Sequence, residues 1–194
     1  MSRLYPALME AAAASLFLVP FLLRRRTHMG TRTSIVLQTV FAVYLSAVYA
    51  VAGLPCIFYI RFRPNLNTIP FLYMFSDYTT SLLNVLLFLP FGIFLPVLWT
   101  TFRSLFRTVL CGLLLSSAIE FLQIFTYRAT DVNDLITNTL GTLLGYFIGM
   151  LIVKIFPKPT YCSTICTFSS LLLAVFCVMF FVQPLFVRIL FSII

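Results

Sequence analysis

Six apolar stretches, each about 20 residues long, run through this chain with only short polar turns between them. A bilayer interior offers no water to backbone N–H and C=O groups, so stretches of this length must be helices there. The apolar runs are continuous rather than alternating, which excludes an outer-membrane barrel. Of 194 residues only 9% are charged, against about a quarter in a soluble domain. A soluble globular domain, a disordered chain and a disulfide scaffold are therefore excluded. The expected fold class is all-α: a polytopic transmembrane helical bundle of about six spans, with an interfacial aromatic segment between spans 2 and 3.

The spans are expected at residues 4–23, 35–60, 82–99, 105–125, 135–156 and 165–189. Glu10 interrupts the first and Arg24–Arg26 follow it, so it reads as a span rather than a signal peptide. Gly53 and Pro55 are expected to break the last turns of the second. Residues 61–80 mix Pro64, Asn65, Asn67, Pro70 and Asp77 with Phe71, Tyr73, Phe75 and Tyr78. That composition is too polar to cross and aromatic enough to lie among headgroups. No linker has room for a second domain. Residues 1–194 are expected to form a single membrane domain, with a core at about 35–156 and peripheral first and last spans.

The formal charge of +8 does not indicate a nucleic-acid partner, because the basic residues sit in short loops. With the Arg24–Arg26 loop cytoplasmic, Arg32, Arg103, Arg107, Lys154 and Lys158 fall on the same side. Arg3, Arg61, Arg63, Arg128 and Arg188 form the outer minority, and both termini are expected outside. The single histidine, His28, excludes most zinc and Ser-His chemistry, and the five cysteines read as small core residues. No metal and no cofactor are expected.

With that orientation the costly side chains gather in the outer half: Asn67, Asp77, Asn84, Glu120, Gln123, Arg128, Asp131, Asp134 and Asn138. A carboxylate at mid-span costs about 2.5–3.5 kcal/mol on insertion scales, so such groups face the bundle interior and find partners. Glu120 lies about 9 Å below the outer end of the fourth span. Glu120 and Gln123 share a helix face, as do Asp134 and Asn138. The turn at 126–133 brings Asp131, Asp134 and Asn138 opposite Glu120, and Arg128 is long enough to bend to a carboxylate. Pro90 is expected to kink the third span. The stripe Gly141, Gly145, Gly149 permits close helix packing. A third–fourth–fifth bundle with a polar pocket opening outward is the expected result.

Four motifs carry a resemblance to a known family. They are Asn67-Thr-Ile-Pro70-Phe71, Asn84-Val-Leu-Leu-Phe88-Leu-Pro90-Phe-Gly92, Glu120-Phe-Leu-Gln123, and Arg128-Ala-Thr-Asp131-Val-Asn-Asp134 with Asn138-Thr-Leu-Gly141. In this order and spacing they resemble the VanZ-like membrane protein family over about residues 35–156. The resemblance implies a bacterial membrane protein and a connection with susceptibility to glycopeptides such as teicoplanin.

Each residue group admits two roles. Glu120, Gln123, Arg128, Asp131, Asp134, Asn138, Asn84 and Asn67 are candidate ligand-binding residues, with Arg128 as a planar fork for phosphate or carboxylate. The same groups serve equally as a hydrogen-bond network fastening three helices, and Asp131 reads best as the N-cap of the fifth helix. Asn67, Pro70 and Phe71 form either a lid or a proline-fixed interfacial turn. Glu120, Asp131 and Asp134 would suit Mg²⁺ or Ca²⁺, but Arg128 already supplies a cation.

The expected partners are membrane lipids, with a lipid-linked cell-wall precursor or a glycopeptide as ligand. The leading function is a non-enzymatic envelope protein. The alternative is an integral-membrane enzyme on a lipid-linked or phospholipid substrate, using the Glu/Asp/Arg group for acid–base work. Against the enzyme stands the lack of a histidine-rich lipid-phosphatase signature or a glycine-rich phosphate loop. A transporter would call for internal repeats or paired broken helices, which the sequence lacks.

Overall fold

The computed structural model describes residues 4–24, 32–62, 66–67, 69, 78–126, 128–156 and 165–193. The helices are α1 (Leu4–Arg24), α2 (Arg32–Val51), α3 (Tyr78–Leu98), α4 (Leu105–Gln123), α5 (Val132–Ile155), α6 (Ile165–Cys177) and α7 (Gln183–Ile193). A π-turn, Val178–Val182, joins α6 to α7, so residues Ile165–Ile189 run as one apolar rod. Five helices are long and apolar enough to cross a membrane, and α1 adds a shorter apolar stretch, Met9–Leu22. The helical membrane bundle is as expected. Most of the interfacial aromatic segment, with Pro70, Phe71 and Asp77, lies outside the described residues, as do Arg3, Arg25, Arg26, His28, Arg63, Lys158 and Cys162.

The second span is shorter than the residues 35–60 expected of it, ending at Val51. Gly53 has φ +63°, a left-handed conformation that glycine adopts without Cβ strain. The Gly53 N–H donates to Ala50 and the Leu54 N–H to Tyr49, the paired bonds of a Schellman cap. Residues 52–62 then turn across the end of the bundle. The Ile57 N–H donates to the Phe180 carbonyl at 3.1 Å, and the Arg61 N–H to Phe125 at 3.0 Å. Pro184 explains the first bond. Lacking an N–H, it cannot bond the carbonyl four residues earlier, which is Phe180.

The closest packing is between α3 and α5. A Cβ on Gly145 would stand 2.1 Å from the Leu89 carbonyl oxygen, and one on Gly141 2.3 Å from that of Val85. From the other side, a Cβ on Gly92 would stand 2.2 Å from the Thr142 oxygen. The small-residue stripe thus brings two backbones together, as its spacing implied. On another face of α5, Gly112 of α4 seats the Thr142 side chain. The third, fourth and fifth spans do form a bundle, with α5 in its middle. α3 stays continuous through Pro90 and Pro96, and the Tyr44 hydroxyl of α2 donates to the Leu87 carbonyl just before Pro90. The aromatic core, Phe41, Phe88, Phe91, Trp99 and Phe168, lies between α2, α3 and α6.

Candidate functional site

The costly polar side chains meet where α4 ends and α5 begins. Asp131 caps α5: its Oδ1 accepts from the Asn133 N–H at 2.8 Å. Its Oδ2 accepts from Asn67 Nδ2 at 3.1 Å. A two-residue parallel pairing, Leu66–Asn67 with Thr130–Asp131, brings Asn67 alongside. Glu120, one turn inside α4, is 8% exposed. Its Oε2 accepts from the Asp131 N–H at 2.9 Å, and its main-chain oxygen accepts from Thr130 Oγ1 at 3.1 Å. Glu120 therefore holds the strand that presents the cap, and Asp131 holds the helix.

Asn84 and Asn138 fasten the neighbouring helices. Asn84 Nδ2 of α3 donates to Asp134 Oδ1 of α5 at 2.7 Å. Asn138 Nδ2 of α5 donates to Ser116 Oγ of α4 at 2.9 Å. The buried Asn138 Oδ1 and Gln123 Oε1 have no hydrogen-bond partner among the described residues. Among the described residues no three His, Cys, Asp or Glu side chains gather as a metal ion's ligands would.

Gln123 and Arg128 point elsewhere. Gln123 Nε2 donates to the Ala52 carbonyl at 2.9 Å. Arg128 Nη1 donates to the Val51 carbonyl at 2.6 Å, whereas its sequence position suggested a carboxylate partner. The last four carbonyls of a helix have no partner within it. At the end of α2, Tyr49 and Ala50 are satisfied by the Schellman bonds, Val51 by Arg128 and Ala52 by Gln123. A guanidinium is favoured there by the negative end of the helix dipole as well. Nothing in residues 123–128 alone indicates this partner, because it lies more than 70 positions back in the chain.

Arg128 also faces a cavity of about 660 Å³. Its walls come from Glu10 of α1, Tyr49 to Arg61, Phe125 and Thr126, and from Met179, Gln183, Pro184, Val187 and Arg188 of the last rod. Neither Glu120, Asp131 nor Asp134 lines it. Of the eight candidate ligand residues, Arg128 alone reaches this space. Arg61, Arg188 and Gln183 were not singled out from the sequence. The available signal for Arg61 and Arg188 was their charge, since both belong with Arg128 to the basic minority at this end; Gln183 carried no such signal. Arg188 lies 4.7 Å from the Phe58 ring centroid, a cation–π contact that joins α7 to the 52–62 segment.

Comparison with known proteins agrees with the motif resemblance. A family model described as VanZ/LLP1 matches residues 41–154. Protein VanZ of Enterococcus faecium is 38% identical over 82 residues, which are 42% of this chain and 50% of that protein. The chain thus spans about half the length of the curated relative it matches. No solved structure matches.

Proposed function

Because the chain belongs to the VanZ/LLP1 family, we propose that it is a non-enzymatic protein of the bacterial plasma membrane that lowers susceptibility to glycopeptides such as teicoplanin. It does so by holding a polar or anionic envelope component, such as a lipid-linked cell-wall precursor, at the extracytoplasmic end of its bundle. The carrying observation is the division of labour at that end. The acids and amides of the family-like motifs bond to one another and to helix ends, while Arg128 faces a cavity large enough for a ligand.

That division favours binding over acid–base catalysis. A general acid or base must come within hydrogen-bond reach of its substrate. The Glu120, Asp131 and Asp134 carboxylates do not line the cavity, and Glu10, which does, lies outside the family match at residues 41–154. Orientation is supported by the loop charges: Arg103, Arg107 and Lys154 stand at the opposite end of the bundle from the cavity.

The test is genetic. Deleting the gene should raise teicoplanin susceptibility, the wild-type gene should restore it, and Arg128→Ala at equal membrane abundance should not. Unchanged susceptibility on deletion would overturn the reading.

A further inference from the structure

We propose that the cavity beside Arg128 is a binding site for the phosphate-bearing headgroup of an amphiphile with net negative charge, contacted by Arg61, Arg128 and Arg188. The inference deepens the proposed function and rests on it for the idea that this end engages an envelope component. Three arginines from three separate segments line one cavity, and among the described residues Glu10 is the one acid beside them. They arrive from the turn after α2, the α4–α5 turn and α7. No single loop or helix terminus explains their convergence.

Their location departs from the usual distribution of loop charges. Short-loop basic residues normally collect on the cytoplasmic side. Here Arg103, Arg107 and Lys154 do stand at one end of the bundle, while these three stand at the other, around a cavity. Arg61 and Arg188 are exposed and Arg128 is half-buried, so an anion can approach them from the end of the bundle.

The donor chemistry suits phosphate. A guanidinium carries five N–H donors in a planar fork that matches phosphate oxygens. Arg128 commits Nη1 to Val51 and keeps other donors. Gln183, 7% exposed, adds an amide to the wall. Leu54, Phe58, Phe125, Met179 and Val187 give the wall an apolar part, beside the polar Tyr49, Tyr59 and Thr126. A free phosphate needs no such wall, whereas the chains of a lipid do. The cavity volume of about 660 Å³ lies within the usual range for small-ligand sites.

The backbone around the site is shaped for this opening. The π-turn Val178–Val182 places Met179 and the following Gln183 in the wall. π-turns inside helices are found often at functional positions.

The test uses full-length protein in detergent micelles, observed by native mass spectrometry and thermal unfolding. Phosphatidylglycerol, a net anion, should be retained about tenfold better than phosphatidylcholine, whose phosphate is offset by its own ammonium group. Arg61→Gln with Arg188→Gln should erase that preference. Arg188→Lys should weaken it less than Arg188→Gln, a gradation that misfolding would not produce. The comparison of lipids on wild-type protein needs no variant at all. Stabilisation by inorganic phosphate alone, equal to that by phosphatidylglycerol, would support the phosphate site and assign it a soluble ligand. Equal retention of both lipids with no response to phosphate would overturn the proposal, as would an undiminished preference in the double variant. Lipid selection in a protein whose deletion leaves teicoplanin susceptibility unchanged would support this site and overturn the resistance reading. Resistance without lipid selection would do the reverse.

Discussion

Arg128 donates from Nη1 to the carbonyl of Val51, 2.6 Å away, and so closes the end of a helix that lies 77 residues earlier. Its side chain reaches that carbonyl by passing over Gly53, where a Cβ would stand 3.0 Å from Arg128 Cδ. The cap of α2 and the wall of the cavity are therefore one structure.

Gly53→Ala attacks that structure twice. The residue sits at φ +63°, and the added methyl crowds Arg128. The expected loss is about 1–2 kcal/mol of stability, seen as a lower melting temperature of the purified protein. Any ligand that relies on Arg128 should be lost with it.

Arg128→Ala should cost about 1–3 kcal/mol, because the Val51 carbonyl loses its partner. Arg128→Lys should recover part of this, since an ammonium can still reach a helix C-terminus. Thermal unfolding of the three proteins side by side checks the order.

Gly145→Ala should be more damaging than Gly112→Ala. The new Cβ at 145 meets backbone, with the Leu89 oxygen at 2.1 Å. At 112 it meets side-chain atoms alone, Thr142 Oγ1, Cγ2 and Cβ at 2.4, 2.6 and 2.8 Å. Rotation of Thr142 leaves its Cβ in place, so Gly112→Ala also costs stability, through a shift of one residue rather than of two backbones. An overpacking loss of about 1–3 kcal/mol or more is expected at Gly145, read as loss of monodisperse protein on size exclusion.

Asn84→Leu and Asp134→Leu should be coupled, through the 2.7 Å bond between α3 and α5. A double-mutant cycle is expected to give about 0.6–1.7 kcal/mol, the range found for such bonds between membrane helices. Additive losses would show that the bond contributes nothing.

The cap at Asp131 was readable because capping depends on residues adjacent in sequence. So was the close-packing face of α5, because glycines four apart stay on one helix face whatever they touch, although α3 as its partner was not. The destinations of Gln123 and Arg128 were not readable. Both carry donors, and donors in a turn fit a carboxylate or a helix end equally well. The cavity was hidden for a different reason. Its walls come from the first, second and last spans, where lipid-facing and core-facing residues are equally apolar, so hydropathy does not separate them. The loop-charge count grouped Arg61, Arg128 and Arg188 on one side, and only tertiary packing brings them around a common space.

The most direct measurement is the sidedness of that space. In a chain whose native cysteines are replaced by alanine, Tyr59→Cys marks the cavity end and Thr100→Cys the opposite end, both at exposed positions. A membrane-impermeant maleimide applied to intact cells should label position 59, and position 100 only after lysis. Labelling of position 100 alone in intact cells would put the arginines in the cytoplasm and contradict the account.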